Sequence, residues 1–544
     1  MSSFKTLAGG TNVRLTNKAT PQTKPAGNAP VAQVKNNAGG FVFEITALQK
    51  LDRFLIIGTT GGSFYTSEKN ILPQKVDDVI NLIKANGKVV VDRVVEISQA
   101  GRAKNNDYAL LAMALVFAHG DVATKLYAKD KVPLVARTGT HFLHFVAFAN
   151  GLRGWGRSLK TVVQKWYADK TVDNLAYQIV KYKQRDGWAH KDVLKLCHVK
   201  PGSDTVRQNL YKFISKGPEG LAAGDMVPQI LIAAEQAKTC SSTELVKLIQ
   251  DHRLTHEMIP NEMKARPEVW EALIPHMGLG ALLRNLNKIT AVGLLKPFSA
   301  TGNIVRAKLG DIEAIKKDRL HPMAVLVAQK IYAQGKGDKG SLVWTPDQSI
   351  VGALEDTFYA GFQAVEPSGK NHYLALDVSA SMTWPSSVCT GAQQITAREA
   401  SAVMAMVTVR TEPYTYIAGF SAGMVEISIT AKDTLPQVIK KIQSLGASGT
   451  DCSLPMLDAT NRKLDVDCFT IYTDNETWAG GTHVFQAMRQ FRQALHKPEA
   501  KLITVGMAVN DFSIADPTDR NMLDVVGFDT ATPRFISDFA AGNL

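Results

Sequence analysis

Apolar residues recur at three- and four-residue spacing from residue 41 to about residue 365, with few alternating β-branched runs, and this period predicts helix after helix. ALLAMALVFA at 109–118, DVLKLCHVK at 192–200, PQILIAAEQA at 228–237 and HPMAVLVAQKIYAQ at 321–334 carry the pattern. PGSD at 201–204, GPEG at 217–220 and GKGDKG at 335–340 interrupt it with turn chemistry. A long series of short antiparallel helices predicts an α-solenoid, although no clean fixed-period repeat is present. After SGK at 368–370 the texture changes. Short β-branched or aromatic runs begin at 372, 414, 467 and 500 (HYLALDVS, YTYIAGFS, DCFTIYTD, AKLITVGM), with helical patterns between them at 395–411, 435–445 and 483–496. Alternating strand and helix predicts a mainly parallel sheet covered on both faces, with ligands at the carboxyl ends of its strands.

Residues 1–38 break both patterns. The first 40 residues hold five Lys or Arg, no acidic residue and much Gly, Asn, Thr, Pro and Ala, a composition that predicts a flexible basic arm. The expected organisation is therefore an arm at 1–38, a helical module at 39–368 and an α/β domain at 369–544. A chain of 544 residues is too long for one compact domain, which agrees with this division. It contains no run of eighteen apolar residues and no signal-peptide pattern, so a cytoplasmic protein without membrane attachment is expected. Cys197, Cys240, Cys389, Cys452 and Cys468 are widely spaced with no CxxC pair, which predicts reduced thiols and excludes a disulfide framework or a zinc ribbon.

Charge adds a division that hydropathy does not show. The formal net charge is +12, yet residues from 369 onward hold 14 basic and 18 acidic residues, leaving 48 basic against 32 acidic in the rest. One part of the molecule attracts polyanions and the other does not. The densest cationic stretch runs from 153 to 200, with Arg153, Arg157, Lys160, Lys181, Lys183, Arg185, Lys191, Lys195 and Lys200 interleaved with Trp and Tyr. Such clustering can neutralise phosphates while aromatic or guanidinium planes stack on unpaired bases. His190 precedes a helical run, in a position where first-turn N–H groups favour a phosphate, but spacing alone favours a satisfied structural imidazole. Trp155, Trp166, Trp188 and Trp270 are expected to be packing anchors.

In LALDVSASM, the first strand of the α/β segment runs into Asp377, with Ser379 and Ser381 at alternate positions. SGTDCSLP offers Thr450 and the strand DCFTIYTD ends in Asp474. All five are hard oxygen donors, suited to Mg²⁺ or, alternatively, Mn²⁺ and not to zinc. A lone DxSxS is weak evidence, but three strand-to-loop junctions in the order Asp-Ser-Ser, Thr, Asp resemble the metal-ion-dependent adhesion site of a von Willebrand factor A domain. Two carboxylates and three hydroxyls leave a dication short of negative charge, so the arrangement suits binding of an anionic group better than bond cleavage. A haloacid-dehalogenase-like phosphatase needs a second Asp two residues after its nucleophile, and here that position is Ser379.

Several segments together resemble the Ro autoantigen, or TROVE-module, ribonucleoproteins: GGFVFEITALQKLDRFLIIGTTGGSFY at 39–65, KYKQRDGWAHKDVLKL at 181–196, LVWTPDQSI at 342–350, VEPSGK, DVSASM, SGTDCSLPM, YTDNETWAGG and IADPTDR. The resemblance runs from about residue 35 to the end. It implies a ring of HEAT-like helical repeats joined to a von Willebrand A domain, in a monomeric, non-enzymatic RNA-binding scaffold. It further implies a small noncoding Y RNA on the outer basic surface, 3′ single-stranded ends of misfolded or precursor RNAs in the central hole, and cooperation with an exoribonuclease such as polynucleotide phosphorylase. By the same resemblance His190 matches a position important for Y RNA binding, and Asp377, Ser379, Ser381, Thr450 and Asp474 match the metal motif. Arg137, His141 and Arg284 are the residues expected to face the interior of the ring. Nothing carries over to the segment before residue 40.

Overall fold

The computed structural model describes residues 19–59, 68–103, 105–337, 341–362, 365–384, 395–446 and 448–543. Its strands are β1 (Gln33–Lys35), β2 (Phe41–Glu44), β3 (Gln184–Arg185), β4 (Trp188–Ala189), β5 (Asn371–Asp377), β6 (Tyr414–Phe420), β7 (Met424–Val425), β8 (Cys468–Thr473), β9 (Lys501–Gly506), β10 (Phe512–Ser513) and β11 (Met522–Val526).

Between Ala47 and Ala360 the elements of the described chain are helices joined by loops, as the period predicts, apart from the short hairpin of β3 and β4. The expected helices are present as Asp107–His119, His190–Cys197, Gln229–Gln236 and Pro322–Gln334. Side-chain caps start many of them: Thr46, Asp121, Thr138, Thr171, Asp204, Ser241 and Asp311 each accept from a first-turn N–H. The helical array also returns on itself. His321, which caps Pro322–Gln334, places its Nε2 3.2 Å from the Arg102 carbonyl, 219 residues earlier.

The C-terminal domain contains a six-stranded sheet in the order β11-β9-β8-β5-β6-β7, parallel except for β7. Helices Ala397–Thr411, Leu435–Gln443 and Val484–Ala494 occupy the positions read from the sequence. The chain runs from β5 to β6 on one side and later to β8 on the other, so the strand order reverses beside β5. Loops leaving β5 and β8 therefore part in opposite directions and open a crevice above the sheet.

Buried ion pairs join the two modules. Arg53 Nη2, on the helix Ala47–Ile56, lies 3.1 Å from Asp524 of β11, with side chains 0% and 5% exposed. Arg102 Nε lies 3.2 Å from Asp529, and its Nη2 donates to the Val526 carbonyl at 3.1 Å. Lys75 pairs with Asp511, and Lys330 with Glu399 at 3.2 Å. In these four pairs the cation comes from the helical module. One hydrophobic core runs from the helices onto a face of the sheet, where it includes Leu374 and Leu376.

Residues 19–38 correct the expectation of a free arm, whose residues 1–18 lie outside the described residues. From Thr20 onward the segment is a strap across the C-terminal domain. Strand β1 pairs with β2, which pairs with β10, and Ala26, Val42 and Phe43 enter the core on the second face of the sheet. Buried Gln22 donates Nε2 to Asp451 Oδ1 and to the Thr482 carbonyl, each at 2.8 Å. A polar composition is held here by specific partners and a few apolar plugs, neither of which local sequence reveals.

Breaking one side of a buried pair leaves an uncompensated charge, so Arg53→Ala is expected to cost about 3 kcal/mol in chemical denaturation. Arg520→Ala, which removes the exposed pair with Glu499, is expected to leave the unfolding midpoint unchanged.

Candidate functional site

Asp377 is the last residue of β5 and is fully buried. Its Oδ1 accepts from the Ser379 N–H at 2.9 Å, and its Oδ2 from Thr473 Oγ1 of neighbouring β8 at 2.6 Å. The Ser379 and Ser381 hydroxyls lie 3.2 Å apart, and Asp474 follows β8 beside Ser381. Thr450 is buried on the adjoining loop, which is tied in by a hydrogen bond from the Ala380 N–H to the Ser448 carbonyl at 3.2 Å. The structure thus gathers Asp377, Ser379, Ser381 and Asp474, with Thr450 on the loop beside them.

Burial pushes the carboxyl groups of both Asp377 and Asp474 upward, and the charge of Asp377 raises Asp474 further. A hard dication would relieve that repulsion and satisfy the hydroxyl oxygens, so the donor set fits Mg²⁺ or Mn²⁺. Among the described residues no three His, Cys, Asp or Glu side chains form a metal-sized group, and the donor set here is two carboxylates completed by hydroxyls. Cys197, Cys240, Cys452 and Cys468 are free thiols, while Cys389 lies outside the described residues.

Several residues that build this site escape sequence reasoning. Arg398 reaches back from the helix Ala397–Thr411 to the Val378 carbonyl and, at 3.3 Å, the Ser379 carbonyl, fixing the donor loop. Thr477 donates to Gln22 Oε1 of the strap, and Glu476 accepts from Asn37 Nδ2 at 2.6 Å and the Ala38 N–H at 3.0 Å. The strap therefore grips the loops that carry Thr450 and follow Asp474. The Thr473–Asp474 pair at the strand end is a readable signal; Gln22 has none.

The basic stretch is a surface with one buried exception. Lys183 precedes and Arg185 ends β3 of the β3–β4 hairpin, whose Asp186–Gly187 turn has positive φ at both residues, 50° and 78°. Contacts of Asp186 with His144 and of Trp188 with Trp155, rings 5.2 Å apart, hold the hairpin to the helix Gly139–Arg153 and its end. Lys191, Lys195, Lys200, Arg153 and Arg157 are exposed and Lys160 is half-buried. Arg153 Nη1 donates to the Phe117 carbonyl at 2.5 Å. Lys181 donates to Tyr177 Oη at 3.0 Å, which raises its pKa against the opposing effect of burial. None of these nine cations makes an ion pair among the described residues.

His190 is the correction: it opens its helix, but the imidazole is 2% exposed and stacks on Phe142 and Trp166, with Nδ1 2.7 Å from Tyr167 Oη. Burial lowers its pKa to about 4, so it is neutral at pH 7 and does not reach a phosphate as an exposed cation. Lys170, 3.7 Å from the centre of the Trp166 ring, is a further cation that local sequence does not single out. Trp166 and Trp270 are fully buried, as packing anchors should be. Of the three residues assigned to the interior, Arg284 is exposed. Arg137 donates to Ser98 Oγ at 2.8 Å and the Leu134 carbonyl at 3.0 Å, and burial and Arg319 lower its pKa to about 10. His141 is pushed down to about 4 by burial and then Arg137, and is neutral too.

Comparison with known proteins gives the family. A TROVE domain model matches residues 34–254 and 246–370, and a Ro60 vWA domain model matches 371–540. The chain belongs to the Ro60 family. Within that family it is 40% identical over 516 residues to "RNA-binding protein RO60" of Deinococcus radiodurans, covering 94% of this chain and 96% of the relative. It is 34% identical to the Caenorhabditis elegans protein of the same name, over 94% of this chain and 90% of that one. The crystal structure of the Deinococcus radiodurans RO (RSR) protein superposes with a TM-score of 0.69 at 38% identity, covering 92% of this chain and all of that one. The helical module is thus the TROVE region, and the α/β domain is the vWA domain of Ro60 proteins.

Because His190 is neutral when folded and its free imidazole titrates near 6.5, the unfolded chain takes up the proton first as pH falls. Stability is expected to drop from about pH 6.5 toward 4, with His141 acting in the same sense. In urea unfolding at pH 7 and pH 5, His190→Phe should shrink that loss.

Proposed function

We propose that this chain is a non-catalytic RNA-binding scaffold. The observation that carries the reading is the row of cations at Lys183, Arg185, Lys191, Lys195 and Lys200, exposed and without acidic partners among the described residues. Unpaired exposed cations gain free energy by releasing counterions from a phosphate backbone, whereas cations already in ion pairs gain little. The Ro60 relatives, named as RNA-binding proteins, support the same reading.

In finer terms, a small structured noncoding RNA of the Y type lies along this surface, positioned by the rigid hairpin. Single-stranded 3′ ends of misfolded or immature RNAs enter the central hole that the family resemblance implies, a reading supported by the contact of His321 with the Arg102 carbonyl. His190 contributes by packing the base of the hairpin and its helix, which places Lys191 and Lys195. The protein works as a monomer in the cytoplasm, in RNA quality control or processing, alongside an exoribonuclease such as polynucleotide phosphorylase. No helix of the described residues is long and apolar enough to cross a membrane.

A second reading concerns the vWA domain, and the donor set favours it. Asp377, Ser379, Ser381, Thr450 and Asp474 hold Mg²⁺, or Mn²⁺ in its place. Bound there, the ion supplies a Lewis-acidic position for an anionic group of a protein partner. Gln22, Arg398 and Glu476 keep the donor loops in place, and Thr473 orients Asp377.

Charge reversal at Lys183, Arg185 and Lys191 is expected to weaken binding of structured RNA at least tenfold at moderate salt. It should also reduce the slope of log affinity against log salt by roughly 0.9 for each phosphate that is no longer neutralised. Unchanged affinity in filter binding would dismiss this surface. Asp377→Ala should abolish the rise in melting temperature on adding Mg²⁺ while leaving RNA affinity within twofold; a full Mg²⁺ response in the variant would remove the metal assignment.

A further inference from the structure

The strap touches both loops that flank the candidate metal site, and Gln22 is its centre. This residue is fully buried and engages each of its four polar groups. Its backbone N–H donates to the Gly480 carbonyl at 2.9 Å, and its carbonyl accepts from the Phe41 N–H at 2.8 Å. Its side chain ties Asp451, next to Thr450, to Thr477 and the Thr482 carbonyl, which follow Asp474. Asn36 Nδ2 donates to the Asn475 carbonyl at 3.3 Å and to the Thr477 carbonyl at 2.8 Å. Asn37 and the Ala38 N–H hold the Glu476 carboxylate, and the Glu476 N–H in turn donates to Asp474 Oδ1 at 3.1 Å. Just past the strap, a Cβ on Gly40 would stand 1.8 Å from the Thr477 carbonyl oxygen, so the close seat requires glycine.

These bonds form only while the donor loops are drawn together. Two buried carboxylates, Asp377 and Asp474, oppose that closure by mutual repulsion, and a dication between them would remove the opposition. Strap and ion therefore favour one loop arrangement, and two binding events that favour the same arrangement strengthen each other. The strap is also easy to shift. Its apolar hold is Ala26 in the core on the second face of the sheet, with Ala29 and Val34 partly buried against it, and the rest is hydrogen bonding. Segments with so little apolar burial open at a small fraction of the cost of global unfolding. We infer that docking of the strap and binding of the dication are reciprocally coupled: the ion tightens the strap, and displacing the strap loosens the hold on the ion. The inference rests on the metal reading above and assigns the regulation of that site to residues 19–38. Gln22 and Glu476 are positioning residues in it, since neither is among the five donors.

Both directions can be read in the full-length protein with Mg²⁺ as the probe. Adding Mg²⁺ should slow hydrogen exchange about fivefold or more in peptides spanning residues 20–40, while peptides within Asp107–His119 keep their rates. In Asp377→Ala that slowing should vanish. Gly40→Ala wedges the strap off its loop, and Ala26→Glu withdraws it from the core. Each variant should weaken Mg²⁺ binding in titration calorimetry about fivefold or more. If Mg²⁺ binds the original protein but leaves strap exchange unchanged, the strap is only a cover and the inference is wrong, with the metal site intact. Variants that bind Mg²⁺ as tightly as the original protein, or a slowing spread equally over all peptides, would also overturn it. If the original protein takes up no Mg²⁺, the metal reading itself fails and the coupling goes with it. Exchange in the original protein decides the question even where a variant does not fold.

Discussion

Two buried guanidinium groups hold this architecture together. Arg53 and Arg102 come from early helical segments, and each reaches a carboxylate at or just after β11, the edge strand of the vWA sheet. Desolvating four charges costs several kcal/mol per ion, so the pairs specify geometry more than they add stability. A slipped arrangement would leave charges buried alone. The carbonyl of Arg102 also meets His321, so one residue fixes both the return of the helical array and its seat on the vWA domain. The charge division along the sequence has a second use here: basic residues of the TROVE region meet acidic residues of the vWA domain, and only the remainder is free for polyanions.

The candidate metal site follows a related logic on a smaller scale. Two carboxylates are brought together where burial and mutual repulsion disfavour charge, and neutral hydroxyls complete the set. The sheet creates the opening by reversing strand order, and the strap grips its loops through Gln22, Asn36 and Ala38, the last donating to Glu476. Asn36 Nδ2 donates to the Thr477 carbonyl at 2.8 Å, next to the same loops. Positively charged surface and carboxylate crevice thus sit on different modules, so each can be altered without touching the other.

Local features are the legible ones. The strands of the vWA domain can be read because β-branched runs alternate with helical ones, and Asp377, Ser379 and Ser381 because five residues of one loop contain them. Residues 19–38 resist reading because Gly, Pro and Asn normally signal disorder, while the partners that order them lie more than 400 residues away. The hairpin hides although Asp186–Gly187 is a two-residue turn signature, since the surrounding lysines read as a solvated helix face. Spacing places His190 at a helix start and favours the structural imidazole that the burial shows; the exposed phosphate contact comes only from the family resemblance. The aromatic cage that buries it comes from two preceding helices and leaves no local trace.

The pairing of β2 with β10 has a consequence for biosynthesis. Glu44 lies opposite Phe512, so the earliest strands leave the ribosome long before their neighbour exists. At the usual pace of about 5–20 residues per second, the gap lasts tens of seconds. Throughout that interval Phe41, Val42 and Phe43 have no sheet to join, and chaperones or the half-made helical region must shield them. Translation speed over residues 45–511, most of them in the helical module, therefore sets how long the nascent chain remains open to mispairing.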